Sequence, residues 1–311
     1  MNQQIGIVGL GLLGRGIAGC LLARGYRVTG FDIAIRAREE TRSSIIQAID
    51  DLVVRAGMSP SLIEDWKTRY VEAKSLSEFA ECDFVIESVI EDLNVKRTVF
   101  GQLESVMRDD AILASNTSAL PITLLQQSRK VPGRMIGMHW CEPCHVTKFL
   151  EVIRGDATSD RTVELTLALA DGAGKEPTLV KRDIEGFVVN RLCYAMYREA
   201  FYLLEQGVSD VEMIDRAFRN VVGMWAEIAG PFRWMDLTGL PAYAAVMKRL
   251  FPTLSNATDV PERIQKLSDD GARGVTNGRG FYNYTPEEAE TWHKKLVDHV
   301  WAMREFSEKH P

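Results

Sequence analysis

The chain has 311 residues, 46% of them hydrophobic and 26% charged, with a net charge of −6 spread along its length. That composition fits an ordinary globular protein with room for more than one domain. The absence of a basic stripe excludes nucleic acid as an expected partner. No apolar run is long enough to span a bilayer and the first residues lack a signal-peptide pattern, so no membrane partner is expected and the reading is cytoplasmic. The five cysteines are an odd number, which argues against a disulfide framework; Cys20, Cys82 and Cys193 read as small apolar packing residues.

In chain order, short apolar runs at Ile5–Val8, Arg27–Phe31, Phe84–Glu87, Ile112–Ser115, Met135–His139, Phe149–Ile153 and Thr178–Val180 read as strands. Helical periodicity falls between them at Arg15–Ala23, Arg36–Arg55, Asn94–Met107 and Arg161–Asp171. Strands alternating with helices predict βαβ units and a largely parallel sheet covered on both faces. The pattern changes near Asp183-Ile184-Glu185-Gly186. Beyond it the periodicity is helical, at Asn190–Glu205, Asp210–Arg219, Leu240–Leu250 and Pro286 to about Lys309. Thr285-Pro286-Glu287-Glu288 has the form of a helix start. The expected fold is therefore α/β, an N-terminal Rossmann-type domain (1–184) followed by an all-helical C-terminal domain (185–311).

The first strand runs into Gly9-Leu10-Gly11-Leu12-Leu13-Gly14, and a helix follows. In a dinucleotide-binding turn Gly9 permits the tight bend, Gly11 lets a pyrophosphate approach the backbone, and Gly14 lets helix and strand pack closely. The helix N-terminus, with Leu12 and Leu13 in its first turn, offers free N–H groups to the anion. The second strand ends in Asp32, placed to accept hydrogen bonds from the adenosine ribose, which predicts NAD rather than NADP. Arg36 and Arg38 read as the exposed face of the next helix.

His139 ends one predicted strand and Glu151 lies on the next. Imidazole beside carboxylate makes a usable general base, because the carboxylate fixes the tautomer and stabilises the imidazolium. A satisfied structural histidine is the plainer alternative for His139 alone.

Ser115-Asn116-Thr117-Ser118-Ala119-Leu120, Gly137-Met138-His139-Trp140-Cys141-Glu142-Pro143, Phe149-Leu150-Glu151-Val152-Ile153-Arg154-Gly155, Lys181 through Arg191, and Gly278-Arg279-Gly280-Phe281-Tyr282 together resemble the L-3-hydroxyacyl-CoA dehydrogenase family in order and spacing. The resemblance implies an NAD-dependent dehydrogenase of CH–OH donors in which His139 is the general acid/base, Glu151 holds it, and Ser118 and Asn190 contact the substrate. It further implies that Glu91, Lys96 and Asn116 belong to the cofactor site, and that the helical domain closes over the substrate and forms a homodimer.

The sequence departs from the family at three places. Glu142 stands where a neutral amide is usual, which implies either a charged group beside the base that contacts substrate or a solvated acid. Thr276-Asn277-Gly278 replaces a Lys-Thr-Gly sequence, and the chain continues past Tyr284. The extension and the His-Trp start resemble relatives that oxidise free hydroxy compounds, of the L-gulonate dehydrogenase (lambda-crystallin) and pyridine-carboxylate kinds. The expected substrate is thus a β-hydroxy acid or its CoA thioester, with a free non-CoA hydroxy compound as the alternative. A catalytically silent NAD-binding structural or sensing protein is the alternative of another class. Arg233 is a candidate grip for a substrate carboxylate, and Trp225, Phe232 and Trp234 are candidate pocket walls. Cys141-Glu142-Pro143-Cys144-His145 spells a haem-attachment pattern inside a family motif; no metal site is expected there.

Overall fold

The structure, a computed structural model, describes residues 3–310. Its strands are β1 (Gln4–Val8), β2 (Arg27–Phe31), β3 (Tyr70–Glu72), β4 (Phe84–Glu87), β5 (Ile112–Ser115), β6 (Met135–Trp140), β7 (Phe149–Ile153) and β8 (Glu176–Val180). They form one sheet in the order β3-β2-β1-β4-β5-β6-β7-β8. Pairing is parallel from β3 to β6, antiparallel between β6 and β7, and parallel again between β7 and β8. This is the largely parallel, doubly wound sheet expected, with a Rossmann strand order extended by a reversed pair. Strand order reverses between β1 and β4, and the carboxyl ends of those strands form the crevice where such sheets take ligands.

The connecting helices are α1 (Leu12–Ala23), α2 (Ile35–Ala56), α3 (Leu62–Asp65), α4 (Leu93–Val106), α5 (Ile122–Gln126) and α6 (Asp160–Gly172). Asp92 caps α4 by accepting from the Asn94 and Val95 N–H groups, and Ser159 caps α6. Central strands β4, β5 and β6 are buried throughout. Phe79, Val85, Phe100, Leu103, Leu113 and Ile122 make the core where α4 and α5 meet them. The short edge strand β3 escapes sequence reading because three residues in a charged stretch carry no alternation to recognise.

The chain divides into two compact units, Met1–Arg191 and Leu192–Pro311. The second contains most of α7 (Val189–Glu205), then α8 (Val211–Trp225), α9 (Pro231–Thr238), α10 (Leu240–Leu250), α11 (Glu262–Asp269) and α12 (Pro286–Lys309). Helix α8 runs further than its expected end at Arg219, and α9 and α11 are additional. The start of α12 is a capping box: Glu288 N–H donates to Thr285 Oγ1 at 3.2 Å, and Thr285 N–H donates to Glu288 Oε2 at 2.8 Å. Among the described residues no helix is long and apolar enough to cross a membrane.

Candidate active site

The glycine turn sits at the β1–β4 switch point. Gly9 has φ +94° and donates to Phe31 O at 2.8 Å. A Cβ there would lie 2.5 Å from Ser88 O, so the turn is seated against the end of β4. A Cβ on Gly11 would meet nothing within 4 Å, and as the N-cap of α1 it brings no side chain to the first-turn N–H groups. The approach of an anion to those groups is open.

A methyl on Gly14 would overlap the carbonyl oxygen of Gly9. Gly14→Ala is therefore expected to cost about 1–3 kcal/mol through overpacking against backbone and to weaken NAD binding, both readable from thermal unfolding with and without NAD. An unchanged melting temperature and unchanged NAD shift would refute the role given to this contact.

Asp32 braces the same turn. Its Oδ2 accepts from Leu10 N–H at 2.7 Å and its Oδ1 from Ala34 N–H at 2.8 Å. Each oxygen keeps a second lone pair for a ribose hydroxyl. Arg36 is spent on Glu40 at 2.7 Å, and Arg15 also pairs with Glu40. An aspartate at this position, with Arg36 already paired, suits the unphosphorylated ribose of NAD.

At the ends of β4 and β5 lies a buried polar network. Glu87, which sequence reading passes over as a strand end, takes Lys96 Nζ at 2.8 Å and Val89 N–H at 2.7 Å on Oε1, and Ser115 Oγ at 2.7 Å on Oε2. Both side chains of the ion pair have 0% exposure. Lys96 also reaches Glu91 Oε2 at 3.2 Å. Glu91 Oε1 in turn accepts from Thr117 Oγ1 at 2.5 Å and from the N–H groups of Ser118 and Ala119 at 2.9 and 3.1 Å. Burial pushes the Glu91 carboxyl upward, but Thr117, Lys96 and Ser118 outweigh it and hold it below the usual carboxylate range. Lys96 thus lies beneath the site and acts on it through Glu91. Asn116 ties three strands: its N–H donates to Glu87 O at 2.7 Å, its Nδ2 to Ser88 Oγ at 3.0 Å, and its Oδ1 accepts Trp140 N–H at 3.0 Å.

The β6–β7 register makes His139 and Glu151 direct cross-strand partners, and His139 Nδ1 lies 2.8 Å from Glu151 Oε2. The other oxygen, Oε1, accepts from Val188 and Val189 N–H at 2.9 and 3.0 Å. Those two groups converge because Gly186 and Phe187 both take left-handed backbone, φ +74° and +50°, forming a small anion nest. A bulky residue at positive φ is strained; here Phe187 is buried and its ring packs 5.8 Å from the His139 ring, with Phe149 edge-on at 5.6 Å. Burial pushes Glu151 upward, but the His139 ring and the two backbone donors outweigh it and keep the carboxyl below its ordinary value. A carboxylate that only accepts makes His139 Nδ1 the donor, which leaves the Nε2 lone pair as the ring's basic site.

Asn190 lies in the first turn of α7, and its Nδ2 donates to Ser118 O at 2.8 Å. Ser118 is exposed on the loop held by Glu91. Within the first unit, His139 pairs with Glu151 and Asn190 with Ser118, and Val188 and Val189, which donate to Glu151, immediately precede Asn190 in the chain. Glu142 turns toward Gly16 of α1, and Cys144 Sγ on its own loop donates to its Oε1 at 3.5 Å. His145 Nε2 faces Asp51 at 3.1 Å. Arg233 lies exposed on α9 in the second unit, where Trp225 and Trp234 stack at 5.3 Å and 9°.

Sequence comparison places this geometry among known proteins. Residues 4–184 match the family model for the NAD-binding domain of 3-hydroxyacyl-CoA dehydrogenase, and residues 186–284 match the model for its C-terminal domain. The chain is 33% identical, over 99% of both sequences, to 5-formyl-3-hydroxy-2-methylpyridine 4-carboxylate 5-dehydrogenase of Mesorhizobium japonicum. It is also 33% identical to 3-hydroxybutyryl-CoA dehydrogenase of Bradyrhizobium diazoefficiens, over 91% of this chain and 95% of that one. A crystal structure of a 5-formyl-3-hydroxy-2-methylpyridine 4-carboxylic acid 5-dehydrogenase, described as an NAD+-dependent dismutase, superposes with a TM-score of 0.92 at 34% identity and covers 99% of each chain. The chain belongs to the 3-hydroxyacyl-CoA dehydrogenase family and is an NAD-dependent dehydrogenase.

Proposed function

We propose that the protein oxidises a small, free hydroxy compound bearing a carboxylate, with His139 as general acid/base. The observation that carries this reading is the buried His139–Glu151 pair at 2.8 Å, with the Nε2 lone pair as its basic site. When bound, NAD supplies the two-electron acceptor at nicotinamide C4.

The protein's own groups do the rest. The N–H groups at the start of α1, including those of Leu12 and Leu13, would hold the pyrophosphate, and Asp32 the adenosine ribose. Asn116 and the loop braced by Glu91 would line the nicotinamide end. His139 Nε2 takes the hydroxyl proton as the carbon is oxidised, and Glu151 stabilises the imidazolium so formed. Ser118 Oγ and the second Nδ2 hydrogen of Asn190 orient the reacting oxygen. The same groups serve an aldehyde through its hydrate, whose hydroxyl gives up its proton in the same way. In the reverse direction protonated His139 donates.

The relative matched over 99% of both chains acts, by its name, on a pyridine carboxylate, and its match includes the segment beyond residue 284 where the family model stops. Thr276 in place of a basic residue also removes one grip for a phosphorylated carrier. Both features favour a free substrate. A CoA thioester is the second reading, favoured by the match to the 3-hydroxybutyryl-CoA dehydrogenase.

NADH formation against a panel of 3-hydroxybutyryl-CoA, free hydroxy acids, and hydroxymethyl and formyl pyridine carboxylates separates them. Free compounds are expected to exceed the thioester in kcat/KM by about tenfold or more, the scale of discrimination that a small difference in substrate contacts supplies. Preference for the thioester would reverse the assignment. NAD binding with no turnover of any member would point to the silent structural alternative. We propose in addition that residues 1–184 carry the cofactor and 185–311 the substrate and homodimer contacts, in a cytoplasmic enzyme; light scattering of the purified protein tests the dimer.

A further inference from the structure

Glu142 is the acid that the histidine loop adds, and its position is unusual. Its Oε1 lies 2.6 Å from where a Cβ on Gly16 would be, so the carboxyl rests in the place of a missing side chain on α1. The Cys144 thiol that donates to it also faces Leu13 O at 3.9 Å. The loop is pinned in this position by Lys175, whose buried ammonium donates to Cys144 O, and to Thr147 O at 2.5 Å, and packs over the Trp140 ring at 5.1 Å. Gly16 lies five residues after Gly11, roughly one and a half turns or about 7 Å along the helix. The carboxyl is therefore a charge packed against the second turn of α1, next to the turn whose N–H groups would face the phosphates.

We propose that Glu142 makes binding of the anionic dinucleotide proton-linked: its ionised carboxylate opposes the pyrophosphate, and its protonated form does not. The groups facing it are Arg15 on α1, Lys175 ahead of β8, and Cys141 and Cys144 on its own loop; Cys20 on α1 faces Cys144. Arg15 is shared with Glu40, and the neighbouring His145 is turned to Asp51 of α2. Burial raises the Glu142 carboxyl above its ordinary value, more than Cys144, Arg15 and Lys175 lower it. Proton uptake on binding then falls above the ordinary carboxylate range, and affinity declines as the pH rises through it.

The test is calorimetric titration of the whole protein with NAD+ and with ADP-ribose from pH 5.5 to 8.5, in buffers of differing ionisation heat. ADP-ribose lacks the cationic ring, so a trend shared by both ligands belongs to the phosphates. The wild type is expected to take up a fraction of a proton and to lose about three- to tenfold in affinity across this range, the scale of a partly screened charge–charge repulsion. E142Q is expected to bind both ligands about three- to tenfold tighter at pH 8.5 and to lose that share of the uptake, and E142D to retain it. His139 is present in every variant, so the difference between E142Q and wild type isolates Glu142. E142S supplies the same comparison if E142Q does not fold. Equal or weaker binding by the neutral variants at pH 8.5, wild-type uptake in them, or an effect confined to NAD+ would overturn the proposal.

Discussion

His139→Gln is expected to lower kcat by about 10²- to 10⁴-fold, the range typical of a lost general base, while the dissociation constant for NAD+ changes by less than about threefold. The asymmetry follows from the geometry. The ring is buried between Phe149 and Phe187 and bonded to Glu151, whereas the cofactor contacts inferred for this fold come from the glycine turn, Asp32 and Asn116. Glutamine keeps a polar side chain beside Glu151 and offers no site that accepts a proton near neutral pH. Stopped-flow measurement of NADH formation, paired with fluorescence titration of NADH, separates the two effects. Turnover within tenfold of wild type would remove His139 from the chemistry. A parallel loss of cofactor affinity would mean that the ring supports the site rather than acting in it.

How much of this was legible beforehand depends on the range of the interaction. The glycine turn was readable because three glycines, a strand and a helix are local to one another. His139 and Glu151 could be named, but their pairing depends on the β6–β7 register, which the eight-residue connection does not specify. Phe187 gave a signal only through its Gly-Phe-Val-Val-Asn setting; that it adopts φ +50° and thereby aims two N–H groups at Glu151 emerges only in three dimensions. Glu87 gave none. At the end of Phe84-Val85-Ile86-Glu87 it reads as a strand meeting solvent, and its burial follows from β1 and β5 on either side together with a lysine from α4. Lys175 was likewise unreadable, since its acceptors are carbonyls of a loop 28 and 31 residues away. Nearness along the chain to His139 leaves Glu142 readable either as a substrate contact or as a solvated acid; that its carboxyl packs against Gly16 of α1 emerges only in three dimensions.

The buried pair yields the largest expected effect on stability. Lys96→Met keeps the length and apolar character of the stem but removes the ammonium, leaving Glu87 at 0% exposure without its counter-charge. Breaking a buried pair in this way costs about 3–5 kcal/mol, and for a unit of this size that corresponds to a fall in melting temperature of roughly 6–20 °C. Burial already raises the Glu87 carboxyl above its ordinary value with Lys96 in place, and the substitution raises it further. An acid whose folded-state pKa is raised binds its proton more tightly in the folded state, so its penalty is present at neutral pH and shrinks as the pH falls toward the unfolded carboxylate value. The deficit of Lys96→Met relative to wild type should therefore narrow between pH 7 and pH 5. Glu87→Gln combined with Lys96→Met removes the stranded charge, so the double variant should melt above the Lys96→Met single variant. Calorimetric scans of the wild type and the two variants at both pH values decide the matter. A single variant within about 2 °C of wild type, or a double variant no more stable than the single, would show that the charge itself is not what the lysine compensates. Glu91 also loses a partner at 3.2 Å, so the Ser118 loop should loosen in both variants, and kcat should stay depressed even where the double variant regains stability.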